Sequence, residues 1–92
     1  MEHDVLEVRA RGGRRLWLRF RDGERGEVDV GALVRFSGVF APLGDESYFA
    51  RVEVNPETFT VTWPNGADLD SDVLYALATG KRDSLPGASN AK

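Results

Sequence analysis

Residues 5–30 read VLEVRARGGRRLWLRFRDGERGEVDV, and this stretch decides the fold. Apolar and polar side chains alternate along three short runs, Val5–Ala10, Arg14–Phe20 and Gly26–Val30, which is the period of a β-strand. Gly12-Gly13 and Asp22-Gly23 separate the runs, and residues of this kind form the tight turns of hairpins. The stretch therefore predicts a three-stranded antiparallel meander with one buried face and one face in water.

The same alternation assigns side chains to the two faces of this sheet. The inward set is apolar and consists of Leu6, Val8, Ala10, Leu16, Leu18, Phe20, Val28 and Val30. The outward set carries one aromatic ring among charges and consists of Glu7, Arg9, Arg11, Arg15, Trp17, Arg19, Glu27 and Asp29.

The middle of the chain is less regular. It predicts a helical turn over residues 31–36, a hydrophobic bend over residues 40–44 and a short helix that Asp45 caps. Val52–Asn55 and Phe59–Trp63 are rich in residues that favour strands, and the intervening Asn-Pro-Glu-Thr has turn chemistry. These segments predict a second hairpin.

The stretch WPNGADLD, residues 63–70, leads from that hairpin into a helix. Trp63 ends the strand because Pro64 has no N–H for the ladder, and Asn65-Gly66 supplies a turn. Asp70 is placed as the N-cap of a helix over residues 71–78, with Val73, Leu74 and Leu77 as its apolar stripe and Gly80 as its stop. Asp68 has no structural role that the sequence reveals.

Together these elements predict an α+β fold: a small antiparallel sheet of about five strands, short helical turns in the middle and one C-terminal helix. Ninety-two residues suit one domain. We expect that domain over residues 1–80 and a flexible tail over residues 81–92, which are rich in Ser, Gly, Pro and Ala.

The composition argues against several kinds of chemistry. The chain has no cysteine, so it forms no disulfide, thiolate nucleophile or cysteine-ligated zinc site. It has no apolar run long enough to span a membrane, and its first residues are acidic where a signal peptide is basic. We expect a cytoplasmic protein without a membrane segment.

No pattern in the chain predicts catalysis, a cofactor or a metal. Asp68, Asp70 and Asp72 match the first positions of a calcium-binding loop, but Val73 stands where glycine is needed and Thr79 where the bidentate glutamate is needed. His3 is the single histidine, lies at a terminus that we expect to fray and has no nucleophile arranged with it. We expect a protein that is not an enzyme.

The arginines are concentrated in the first part of the chain, although the net charge is −3. Residues 1–36 hold eight arginines against seven acids, and the rest holds four basic residues against eight acids. The candidate interaction surface consists of Arg9, Arg11, Arg15, Trp17 and Arg19. Three interpretations stay open: ion pairs on a solvated face, a protein-binding face built on Trp17, and a nucleic-acid contact through arginine and a stacking ring.

The sequence also resembles a family of small bacterial proteins, domain of unknown function 2442, over roughly residues 5–78. The resemblance is carried by residues 20–24, 28–30, 38–43 and 49–52 and most specifically by the turn Trp63, Asn65, Gly66 and Asp68 with Leu74-Tyr75. Many members have proline at the position of Ser71, a departure that leaves the helix start intact.

The resemblance implies an α+β fold and no established activity. It also implies a place in a two-gene module similar to a toxin–antitoxin pair, with the product of a neighbouring gene as the protein partner. We therefore expect a protein-interaction or regulatory module, with a nucleic-acid-binding regulator as the alternative and an enzymatic site near Trp63 and Asp68 as the weaker interpretation. An exposed strand edge also leaves a homodimer open.

Overall fold

The computed structural model describes residues 3–80 and confirms the predicted antiparallel meander. The three strands are β1 (Val5–Arg11), β2 (Arg15–Phe20) and β3 (Arg25–Asp29), paired in the order β1-β2-β3. Gly13 and Gly23 have positive φ in the two connecting turns, as tight hairpins require. Arg14 also has positive φ, and its guanidinium donates hydrogen bonds to the carbonyls of Leu43 and Gly44, which ties the first turn to the middle of the chain.

The inward face is as predicted except at the start of β1. The register shifts between Val5 and Glu7, so that Val5 stands opposite Phe20 and Glu7 opposite Arg19. This β-bulge adds one residue to β1 and changes which side chain faces the core. Val5 is consequently fully buried. Leu6, Val8 and Ala10 are all half-buried, but Val8 and Ala10 pack against the core as predicted, whereas Leu6 is not among the side chains that do.

Short helical elements cover the middle of the chain. The first, α1 (Val30–Leu33), starts directly after β3, and a 3₁₀ helix over Gly38–Gly44 replaces the predicted bend. The next helix is α2 (Glu46–Phe49), and the Asp45 carboxylate accepts a hydrogen bond from the Ser47 backbone N–H at 3.0 Å as its N-cap. That cap confirms the predicted helix start.

The second hairpin forms a ladder of its own. It consists of β4 (Glu53–Val54) and β5 (Val61–Thr62), so the five predicted strands are divided between two antiparallel ladders. The Asn55 side chain accepts from the N–H groups of Glu57 and Thr58 and so shapes the turn. The Val5 N–H donates to the Phe59 carbonyl at 2.8 Å and joins the two parts of the molecule.

The C-terminal helix, α3, covers Ser71–Thr79. The Asp70 carboxylate accepts from the Asp72 N–H at 2.8 Å, and Gly80 ends the helix in the left-handed conformation, as predicted. Leu74 faces the core, but Leu77, predicted to be part of the apolar stripe, is 39% exposed. The predicted flexible tail, residues 81–92, lies outside the described residues.

One hydrophobic cluster unites these elements. Its largest buried side chains are Trp63, Phe20, Phe49, Leu16, Leu18, Leu43 and Leu74. They come from the sheet, the 3₁₀ helix, α2, α3 and the turn after β5. Within residues 3–80, no helix has the length and apolar character needed to cross a membrane.

His3 is held in place, which corrects the expectation of a frayed terminus. Its ring stacks on Tyr75 with centroids 3.8 Å apart, and its Nδ1 lies 2.9 Å from an Asp72 carboxylate oxygen. Local patterns could not predict this contact because His3 and Asp72 are 69 residues apart.

Replacing Asp70 by alanine is expected to destabilise the domain by about 1 kcal/mol, because the first turn of α3 loses its cap. For a domain of this size that corresponds to a melting temperature about 4–8 °C lower. Asp68→Ala is the matched control, since its exposed side chain makes no hydrogen bond or ion pair within residues 3–80. Calorimetry in which both variants melt alike would contradict the capping role.

Candidate functional site

The outer side of the three-stranded sheet is densely charged. We call it the arginine face, and it consists of Glu7, Arg9, Arg11, Arg15, Trp17, Arg19, Arg25, Glu27 and Asp29, as strand alternation and register require. Five arginines stand against three carboxylates. The face therefore has a formal excess of two positive charges, although the whole chain is at −3.

Three of these arginines are paired with carboxylates of the same face. Glu7 accepts from Arg9 at 2.6 Å and from Arg19 at 3.2 Å. Arg11 and Glu27 lie 3.7 Å apart and bridge β1 and β3 across β2. The hydrogen bond from Arg9, and then that from Arg19, lowers the pKa of Glu7 below its ordinary value.

The remaining arginines lie where like charges oppose each other. Arg11 stands directly opposite Arg15, and Arg19 stands opposite Arg25. Like charges at such positions destabilise a sheet. Arg15 donates to the Gly12 carbonyl, and neither it nor Arg25 forms an ion pair within residues 3–80. Arg15 also stands opposite Asp29 on β3, although the two side chains form no ion pair, so guanidinium groups without an ion pair among the described residues lie on both sides of the centre of the face.

Trp17 occupies that centre. In the register it lies between Arg9 and Glu27. Its side chain is half-buried, so it offers less ring surface than the sequence suggested. The structure thus brings together all five predicted surface residues, and it adds Arg25, which lies one residue before the predicted start of β3 at Gly26.

Glu7→Gln is expected to lower the free energy of unfolding at neutral pH and to make no difference in acid. Because the folded-state pKa of Glu7 is depressed, its stabilisation is fully present above the ordinary value of 4.5 and is lost as the pH falls through the folded value. Urea unfolding of both proteins at several pH values between neutral and about 3 checks this. A difference independent of pH would contradict it.

The predicted motif turn has a structural role in the fold. It consists of Trp63, Asn65, Gly66 and Asp68. Trp63 is 2% exposed, and its indole N–H donates to the Phe49 carbonyl at 3.0 Å. Gly66 has a φ of 92°, which glycine adopts without strain. The backbone of Asp68 bridges to Thr62, while its side chain is exposed.

Asn65 fixes the position of this turn through three hydrogen bonds. Its side-chain amide donates to the Val39 carbonyl, and its side-chain oxygen accepts from the Ala67 N–H at 3.1 Å. Its backbone N–H donates to the Tyr48 hydroxyl at 2.9 Å. The motif therefore fastens the second hairpin to the 3₁₀ helix and α2.

A groove along the free side of β3 is a feature that sequence reasoning missed. It has a volume of about 250 Å³ and is lined by Glu27, Val28, Asp29, Ala32, Leu33 and Leu77. It forms because β3, α1 and α3 converge there. In the sequence, Leu77 could have indicated this groove, because it lies at the border of the apolar stripe of α3.

The described residues offer no metal centre. Within residues 3–80, no three side chains of the metal-binding types stand close enough to hold an ion. Asp70 caps α3 and Asp72 contacts His3, so these two acids of the D-x-D-x-D pattern serve separate purposes.

Comparison with known proteins places the chain in a family. The family model described as "Protein of unknown function (DUF2442)" matches residues 5–80. A crystal structure from Nitrosomonas europaea, of a protein provisionally described as DNA-binding, aligns over 85% of this chain with 32% identity and a TM-score of 0.67. This chain spans about half the length of that protein, with 50% of it covered. No curated protein matches.

The family match confirms the resemblance seen in the sequence, and its extent includes both hairpins and α3. Since the family model covers residues 5–80 of 92, the chain belongs to the DUF2442 family, domain of unknown function 2442.

Proposed function

We propose that this domain is a non-catalytic interaction module whose arginine face binds an acidic surface on a protein partner. The observation that carries the proposal is the placement of Arg11 opposite Arg15 and of Arg19 opposite Arg25, on the two sides of Trp17. These pairs of like charges do not stabilise the folded sheet. A partner that brings carboxylates to the guanidinium groups of Arg15 and Arg25 removes the repulsion.

A protein suits this face better than a polyanion does. Glu7, Glu27 and Asp29 lie among the arginines, and they repel a phosphate backbone wherever it crosses the face. A protein surface of mixed charge accommodates both signs. Arginine and tryptophan are also the residue types that contribute most of the binding energy at protein interfaces.

The partner in this proposal is the product of a neighbouring gene, in a regulatory pair of the toxin–antitoxin type. This assignment comes from the family resemblance. The absence of a catalytic role is part of the same proposal. It is supported by the burial of Trp63 and by the hydrogen bonds of Asn65, which give the motif turn a packing role.

Co-expression with the neighbouring gene product, followed by affinity capture and titration calorimetry, tests the proposal. We expect a complex that Arg15→Glu or Trp17→Ala weakens at least about tenfold, in the range of interface residues with large effects. Arg35→Glu, an exposed arginine outside the face, is the matched control and should bind like the parent protein. No complex, or one that tolerates both face substitutions, would overturn the proposal.

A nucleic acid is the second candidate partner. It is favoured by the guanidinium groups of Arg15 and Arg25 and by the description of the Nitrosomonas europaea protein, although this chain covers only 50% of that protein. Fluorescence anisotropy with a labelled single-stranded oligonucleotide distinguishes it, because phosphate contacts make the affinity fall steeply with salt. A flat salt response, or no binding at about 50 mM salt, would remove this candidate.

A further inference from the structure

The free edge of β3 has hydrogen-bonding groups that its own sheet does not use. The Phe20 N–H donates to the Glu24 carbonyl and the Val30 N–H donates to the Arg14 carbonyl, so even-numbered residues along β3 point their backbone groups at β2. The alternation of an antiparallel ladder then directs the N–H and C=O groups of Arg25, Glu27 and Asp29 away from β2. Such an edge is a template for another strand.

The groove described above runs along this same edge. Leu33 is half-buried and Leu77 is 39% exposed, and both lie on the inner side of the sheet beside Val28. A strand added to β3 points alternate side chains to that side. The groove therefore supplies apolar contacts to an added strand, while the outer side supplies the charges of the arginine face.

The charges of β3 fit a second copy of β3. Arg25 and Asp29 lie at opposite ends of the strand, and neither has an ion pair within residues 3–80. Two antiparallel copies centred on Glu27 place Arg25 of each copy opposite Asp29 of the other. This register also pairs the outward backbone groups of Arg25 and Glu27 and the N–H of Asp29, whose carbonyl, at the N-cap of α1, accepts from the first turn of that helix. Its one unfavourable contact is the repulsion between the two Glu27 carboxylates. In each copy the guanidinium group of Arg11, 3.7 Å from the Glu27 carboxylate, reduces this repulsion.

We propose that the protein forms a homodimer in which the β3 strands of two copies pair antiparallel about Glu27 and cover the groove. The two sheets become one six-stranded sheet, and the two arginine faces become one continuous surface. This interface uses Arg25, which the proposed function also assigns to the partner, so in the dimer Asp29 of the second copy takes the place of a partner carboxylate there. Arg15 and Trp17, the other contacts of the proposed function, stay available to the partner.

Sedimentation equilibrium over a range of protein concentrations tests the dimer. We expect a reversible dimer whose dissociation constant rises at least about tenfold in Arg25→Glu and in Asp29→Arg, because each substitution creates two like-charge contacts. An equimolar mixture of the two variants should form a heterodimer as tight as the parent dimer. In that heterodimer the introduced glutamate faces the introduced arginine, and the native Asp29 of one copy faces the native Arg25 of the other. Rescue by mixing also shows that both variants are folded.

Glu27→Gln tests the register, and we expect it to tighten the dimer because it removes the central repulsion. Leu77→Lys, an exposed position on α3, should weaken it, and Arg51→Glu, an exposed position that follows α2, should leave it unchanged. A parent protein that stays monomeric up to its solubility limit would overturn the proposal. So would a dimer that tolerates both charge reversals, a mixture that fails to associate, or weaker association in Glu27→Gln.

Discussion

Trp63→Ala is expected to destabilise the domain by about 3–5 kcal/mol, the range for removing a large aromatic side chain from a core. Trp63 is 2% exposed, its ring lies 5.7 Å from that of Phe49, and its indole N–H is bonded to the Phe49 carbonyl. Small domains have a total stability of about 5–15 kcal/mol, so the substitution removes a large part of it. Urea unfolding followed by circular dichroism measures the loss.

Two variants separate the causes of that loss. Trp63→Phe keeps an aromatic ring but cannot donate to the Phe49 carbonyl, so it should fall between the parent protein and the alanine variant. Trp17→Ala removes the same residue type from a half-buried position on the arginine face and should be much milder. If the two alanine variants unfolded at the same urea concentration, the central place of Trp63 in the core would be wrong.

Gly26→Ala is the second substitution with a large expected effect. A Cβ atom at Gly26 would collide with the backbone carbonyl of Ala78, and backbone atoms cannot rotate away as a flexible side chain does. The helix α3 must then move off β3. We expect a loss at the upper end of the range for overpacking, about 3 kcal/mol, and faster hydrogen exchange over residues 71–79.

Gly12→Ala provides the comparison for Gly26→Ala. A Cβ atom there has no neighbour within 4 Å, and the residue is not among the glycines of positive φ. Its stability should stay within about 0.5 kcal/mol of the parent protein, as is usual for surface positions. Unchanged exchange in α3 of Gly26→Ala would show that the helix tolerates a methyl group at this contact.

Local patterns were sufficient for the parts of the fold that depend on neighbouring residues. The alternation and glycine turns of residues 5–30 located the meander, and the carboxylates of Asp45 and Asp70 located two helix starts, because a cap bonds within its own turn. The bulge at Val5 was missed. It depends on how β1 meets the end of β2 and the second hairpin, and the hairpin lies far from β1 in sequence.

The same distinction between local and long-range contacts applies to the candidate sites. Residues of the arginine face were identified because strand alternation is local. The groove was missed because it needs Leu33 and Leu77, which are distant in sequence, at one edge of the sheet. Asn65 was assigned to a turn only, since its bonds to Val39 and Tyr48 depend on the packing of three separate segments.

The N-terminal strand is the place where distant parts of the chain meet. His3 contacts α3, Val5 is bonded to Phe59, and Val5 also pairs with Phe20. Contacts between residues so far apart slow folding, because a long loop must close before they form. We expect the β1–β2 hairpin to form early from local contacts and the anchoring of residues 3–5 to follow the formation of the second hairpin and α3. We therefore expect the first strand of this domain to leave the ribosome to be the last to be fully anchored during synthesis.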